Sequence, residues 1–349
     1  MDSISQFVLG AAVGIAVMGR RTSAWKAALW GGACGTLPDL DVLIDHGDAI
    51  SNMTFHRTES HALFYLSLLS PSIAWLASRI HRGIAGFRRW WLLVWLALIT
   101  HPLLDSMTVY GTQLALPFSD YPYAVGSIFV IDPLYTLPLA IGILAALLAS
   151  RARIGRGLRW NLAGLALSTG YLAWSAMAQQ HVTTIADTSI RHQGISAERL
   201  LVVPTPFNTL LWRVLVIEAD SYAEGFYSLL DADRTVRFEH YARGAALYRQ
   251  SDGNWYVDRM AWFSHGFFSM RRQDGVLVIS DLRMGQEPSY TFTFTVPEGP
   301  RESARTVAPS GSSASATKPA LMPQRLDLRI GLRWLWQRMW GERIPYPAA

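Results

Sequence analysis

The chain has 349 residues, half of them hydrophobic and only 16% charged, well below the quarter usual for a soluble globular protein. A net charge of +5 and 14 tryptophans fit a membrane protein with basic loops and aromatic interface anchors. The single cysteine, Cys34, excludes an intramolecular disulfide, and arginines spread over short loops rather than one patch argue against a nucleic-acid partner.

Six apolar segments run at about 4–19, 25–38, 61–79, 90–108, 127–149 and 158–178. The third, fifth and sixth reach the ~20 residues that a spanning helix needs. The first two are short and rich in glycine and alanine, which lets helices pack closely, so they are expected to lie against the others or to cross only in part. The first positive charges, Arg20 and Arg21, follow the first apolar run, so that run reads as a retained helix rather than a signal peptide. Lysine and arginine alternate between loops. They fill the loops after segments one, three and five, whereas residues 39–60 hold only Arg57 and residues 109–126 hold none. Basic loops stay cytoplasmic, so the N-terminus and everything after the sixth segment are expected outside.

Past residue 180 the pattern becomes β-branched, aromatic and often alternating, with expected strands at 200–203, 212–217, 236–241, 255–263, 276–279 and 290–296. Turn signals separate them at Asp252-Gly253-Asn254, Asp274-Gly275 and Pro297-Glu298-Gly299. The expected organisation is a helical membrane domain over 1–180 and a periplasmic β-rich domain over 181–300. A flexible linker over 301–323 and a basic amphipathic interfacial tail over 324–349 complete it.

Four polar fragments interrupt or end the apolar segments: Leu37-Pro38-Asp39-Leu40-Asp41, His56-Arg57-Thr58-Glu59-Ser60-His61, His101-Pro102-Leu103-Leu104-Asp105 and Asp132-Pro133. With the loop charges fixing orientation, all four fall at the outer side of the membrane. Carboxylates and imidazoles are costly in lipid, so their clustering is a functional hypothesis by default. Aspartate and histidine are also the donors that borderline and hard divalent cations prefer. His101 and Asp105 are four apart and share a helix face. Asp39 and Asp41 alternate on an extended segment, so one can ligate directly while the other orients a histidine. Arg57 suits a phosphoryl oxygen or a neighbouring aspartate. Each pair alone is equally explained by a hydrogen bond between helices or by solvated loop charge. The metal ligands expected are His56, His61, His101, Asp41 and Asp105. Asp39, Asp105 and Arg57 are the expected catalytic groups.

At these residues the chain resembles the YdjM/YbcI type of inner-membrane proteins, regarded as metal-dependent hydrolases. Leu-Pro-Asp-x-Asp, His-Arg-x-x-x-His, His-x-x-x-Asp and a downstream Asp-Pro are matched by the four fragments, over about residues 1–180. The resemblance implies a bacterial inner-membrane location and hydrolysis. The combined expectation is a divalent metal site, zinc first and manganese or magnesium as alternatives, on a multi-pass α-helical membrane domain. It would act on a lipid-linked or phosphoester substrate at the outer face, with the bilayer as its partner. A proton- or metal-coupled transporter and a non-catalytic scaffold with a structural metal are the competing readings.

Overall fold

The computed structural model describes residues 1–149, 154–298, 318–323 and 328–346. Two compact units divide the chain. The first comprises residues 1–43, 57–178 and 206–209, and the second comprises 44–56, 179–205 and 210–349. The break near 178 matches the change in sequence pattern, but residues 44–56 belong with the second unit.

The first unit is helical: α1 (Ser3–Met18), α2 (Ala24–Thr36), α4 (Leu63–Ile80), α5 (Phe87–Ser106), α6 (Pro133–Leu148) and the first part of α7 (Ile154–His192). Asp2 caps α1 by accepting from the Ile4 and Ser5 amides, and Asp132 caps α6 by accepting from Leu134, with Pro133 in the first helical position. Glycines set the spacing of α1 and α2. A Cβ at Gly31 would run into the Gly10 carbonyl, and one at Gly35 would come 2.6 Å from the Gln6 carbonyl. The backbones therefore approach as only small residues allow. The fully buried Trp90, Leu93 and Leu98 of α5 pack against Ile15, Met18 and Ala27 in the core of this unit.

Each of the six apolar segments contains a helix, but their lengths differ from expectation. Among the described residues only α4, at 18 residues, is long and apolar enough by itself to cross a membrane. α1 and α6 are shorter apolar helices of 16 residues each. The fifth segment loses 127–132 to a loop, because Asp132 and Pro133 start the helix there. α5 is long enough, but Arg88, Arg89 and Asp105 make it polar at both ends.

The second unit is sheet-rich. β1 (Arg199–Pro204), β2 (Leu211–Ile217), β3 (Ser221–Ser228) and β4 (Phe238–Ala242) form an antiparallel meander in sequence order. A second sheet, ordered β10-β9-β6-β5, joins β5 (Phe268–Gln273), β6 (Val276–Asp281), β9 (Thr293–Val296) and β10 (Ala320–Leu321). β7 (Gly285–Gln286) and β8 (Ser289–Tyr290) pair as a small hairpin. The Asp274-Gly275 turn joins β5 to β6, with φ of 51° and 80°, as a tight hairpin requires. Residues 255–263, expected as a strand, are instead the helix α9 (Trp255–Phe263). Asn254 accepts from the Tyr256 and Val257 amides, and this cap overrides the aromatic β-propensity. The unit also holds the short helices α3 (Ala49–Phe55) and α8 (Ala245–Gln250). Between β2 and β3 the Arg213 guanidinium donates to Glu224, both buried, and to the Leu282 carbonyl at 2.7 Å.

Of the expected linker, 301–317 lies outside the described residues, while Ala320 and Leu321 add to the edge of β9. In the tail, Leu328–Met339 is the helix α10, and Arg325 lies outside the described residues.

Candidate metal centre

Four residues of the first unit converge. Asp39 lies in a 3-10 turn (Pro38–Leu43) directly after α2, and His61 ends a short 3-10 turn (Glu59–His61) before α4. His101 and Asp105 stand one turn apart in α5. One ligand atom from each lies within 4.8 Å of the others.

The edge lengths are informative. His61 Nε2 is 3.1 Å from His101 Nε2, 3.4 Å from Asp105 Oδ2 and 3.7 Å from Asp39 Oδ1. His101 Nε2 is 3.2 Å from Asp105 Oδ2 and 3.4 Å from Asp39 Oδ1. Ligands about 2.1 Å from a tetrahedral centre stand roughly 3.4 Å apart, and these five separations lie close to that value, within a set that spans at most 4.8 Å. His61, His101 and Asp105 are fully buried, while the Asp39 side chain remains 16% exposed. Asp105 Oδ2 lies between two imidazole nitrogens but has no hydrogen-bond partner among the described residues. A buried carboxylate oxygen without a hydrogen bond is costly, and a cation would satisfy it. The donors thus fit a divalent metal: two imidazoles and two carboxylates suit zinc, and the oxygen share also suits manganese.

The outer faces of both imidazoles are fixed. His101 Nδ1 meets the Gly35 carbonyl at 2.6 Å, which requires the proton on Nδ1 and leaves the Nε2 lone pair pointing into the cluster. His61 Nδ1 stands 2.9 Å from Ser60 Oγ and 3.4 Å from Asp41 Oδ2. Asp41 Oδ2 also accepts from Ser60 Oγ at 2.6 Å and from the Arg57 amide at 3.0 Å.

Two expected ligands therefore fall elsewhere. Asp41 stands behind His61 rather than beside Asp39, since the chain turns between the two aspartates. His56 ends α3 and belongs to the second unit, and it is not one of the four. The chain reverses at Arg57, whose φ of 66° is in the left-handed region that side chains rarely adopt. Arg57 is 5% exposed. Its Nη2 lies 3.3 Å from Asp105 Oδ1, its guanidinium stacks 4.8 Å from the Tyr110 ring, and its Nε has no hydrogen-bond partner among the described residues. Asp132, the fourth motif fragment, is a helix cap that also accepts from the Tyr171 hydroxyl at 2.8 Å.

Sequence reasoning missed Gln6. It is buried in α1, and its amide donates to Asp105 Oδ1 at 3.0 Å and to the His101 carbonyl at 3.1 Å. The available signal was a long polar side chain within an apolar run. The Met1 amino group also contacts Asp105.

A family model described as YdjM inner membrane protein matches residues 1–182. The chain belongs to that family. All four clustered residues lie inside the matched stretch. The uncharacterized protein YfhP of Bacillus subtilis (strain 168) is 27% identical over 250 residues, covering 68% of this chain and 72% of YfhP. The inner membrane protein YbcI of Escherichia coli (strain K12) is 36% identical over 87 residues, covering 24% of this chain and 49% of YbcI. No solved structure matches the chain.

Proposed function

We propose that the protein is a metal-dependent hydrolase of the inner membrane, acting on a phosphoester carried by a lipid at the outer face. The observation that supports this best is the set of five 3.1–3.7 Å separations among Asp39, His61, His101 and Asp105, with a buried Asp105 oxygen that has no hydrogen bond among the described residues. A divalent cation held by Asp39, His61, His101 and Asp105 supplies Lewis-acid activation of water and of a phosphoryl oxygen.

The chain's own residues carry the remaining roles. Asp39 is the one partly exposed member of the four; its Oδ1 faces the histidines and its Oδ2 accepts from Ser3 Oγ at 3.1 Å, so it is the carboxylate we assign to proton transfer with the arriving water. Arg57 is held by Asp105 and Tyr110 with Nε unused, which suits it to a substrate anion. Asp41 and Ser60 hold the His61 ring in register. The family places the chain in the inner membrane. The arginine asymmetry of the loops supports reading the chain as multi-pass with the sheet-rich unit in the periplasm. The bilayer is then the source of an amphiphilic substrate.

One observation favours a second reading. Four protein donors would fill a four-coordinate site, and closed four-donor sites are typically structural. Hydrolysis needs a coordination number above four, or Asp39 giving way to water. The test is turnover of an acylated phosphoester by full-length protein in detergent, with zinc or manganese, beside Asp39→Asn. Metal-dependent turnover that is lost in the variant while metal is retained supports the hydrolase. Retained metal without turnover on any phosphoester supports the structural reading.

A further inference from the structure

The tail helix α10 divides sharply into two faces. One is packed into the second unit. Trp334, 3% exposed, meets the Phe226 and Tyr346 rings edge-on at 4.9 and 5.0 Å. Arg338, 5% exposed, donates to both Asp231 oxygens at 2.6 and 2.7 Å and to the Phe226 carbonyl at 2.8 Å. Ser228 Oγ donates to the Met339 carbonyl at 2.6 Å. These contacts fix the helix in rotation as well as in place.

The opposite face carries large apolar groups into the open. Trp336 is 61% exposed, Trp340 54% and Leu332 51%. The two tryptophan rings lie 5.6 Å apart, one turn from each other. Arg329 and Arg333 share this side, both are exposed, and the helix contains no acidic residue. A soluble surface does not keep two adjacent tryptophans open without use. Tryptophan prefers the boundary between headgroups and acyl chains, and a basic amphipathic helix with such rings lies in that plane.

We propose that this outward face of α10 rests on an anionic phospholipid surface, so that the sheet-rich unit holds the bilayer by a contact separate from the membrane helices. The two arginines match negative headgroups, while Trp336, Trp340 and Leu332 enter the boundary. The inference is independent of the metal centre. A second copy of the chain would also cover apolar rings, but it would have to meet the arginines with acidic groups that this face lacks.

The test uses the full-length chain in lipid nanodiscs of phosphatidylcholine, alone or mixed with phosphatidylglycerol. Cys34→Ala with Trp336→Cys places an environment-sensitive fluorophore at the centre of the face, and lipids with nitroxide-labelled headgroups act as quenchers. The expected result is strong quenching that deepens with phosphatidylglycerol. Arg329→Gln with Arg333→Gln should lower the bound-to-free ratio of the tail by roughly tenfold or more, since each arginine near an anionic surface contributes about fivefold. That double variant leaves the packed face and all tryptophans intact. It also allows a label-free reading, because quenching of tryptophan by brominated phosphatidylglycerol should fall to the level given by brominated phosphatidylcholine. Absence of quenching in both lipid mixtures would overturn the proposal. So would shielding of the fluorophore that depends on the number of chains per disc and not on lipid charge.

Discussion

Asp41→Asn separates a metal centre from a mere cluster of hydrogen-bonded side chains. The swap keeps shape and removes charge. Asp41 Oδ2 accepts from Ser60 Oγ and from the Arg57 amide, and lies 3.4 Å from His61 Nδ1. The asparagine oxygen can still accept from the first two, so the turn at Arg57 should survive. What is lost is the negative charge that makes the His61 ring a stronger donor through Nε2. Residues that orient a metal-ligating histidine in this way contribute about 10–100-fold to metal affinity, or roughly 1.4–2.7 kcal/mol. The assay is competition for zinc against a chelator of known affinity, on full-length protein in detergent, with thermal unfolding measured in parallel. The expected outcome is an affinity loss within that range and little change in apo-protein unfolding. His101→Ala, which removes a ligand outright, should lose more. Unchanged zinc affinity in Asp41→Asn would refute the assignment of Asp41 as the group behind His61. Equal losses in the two variants would refute the division between ligand and support.

Other outcomes follow from contacts elsewhere. Gln6→Leu removes two donors from Asp105 and the His101 carbonyl, leaving buried acceptors short. It should lower stability by about 1–3 kcal/mol, read as a reduced unfolding midpoint in detergent. Gly31→Leu drives a side chain into the α1 backbone at Gly10 and should cost at least about 1–3 kcal/mol, visible as lost abundance in membranes. Arg338→Ala strands the buried Asp231. It should cost about 3–5 kcal/mol of local stability and make residues 328–346 sensitive to limited proteolysis, with the helical unit unaffected. For topology, single cysteines at Ser119 and Arg82, in a Cys34→Ala background, should label from outside at 119 and not at 82. The reverse pattern would invert the proposed orientation.

The change from helical to sheet-rich structure was legible because composition and periodicity both change near residue 180. The close pairing of α1 and α2 was legible in their glycines. At the centre, the i,i+4 spacing of His101 and Asp105 determined that they share a face, and His61 was within reach once α4 was placed. Which of Asp39 and Asp41 joins the cluster was not legible, since it depends on a 3-10 turn rather than the extended segment expected after Pro38. His56 stands outside the cluster for a backbone reason: the left-handed Arg57 lies between it and His61. Asp132 looked like a site residue because Asp-Pro is also what a helix start requires. The aromatic run at 255–263 shows the same ambiguity, resolved by the Asn254 cap. The two roles of the tail's tryptophans were hidden, because helical spacing gives the faces but not which face a neighbour covers.

The central claim is that Asp39, His61, His101 and Asp105 hold a divalent metal. Elemental analysis of full-length protein, purified in detergent without added metal, tests it most directly, with His61→Ala and His101→Ala purified alongside. The account predicts stoichiometric zinc or manganese in the unaltered protein and loss of that metal in both variants. Protein that carries no divalent metal, and takes up neither zinc nor manganese when supplied, would contradict it.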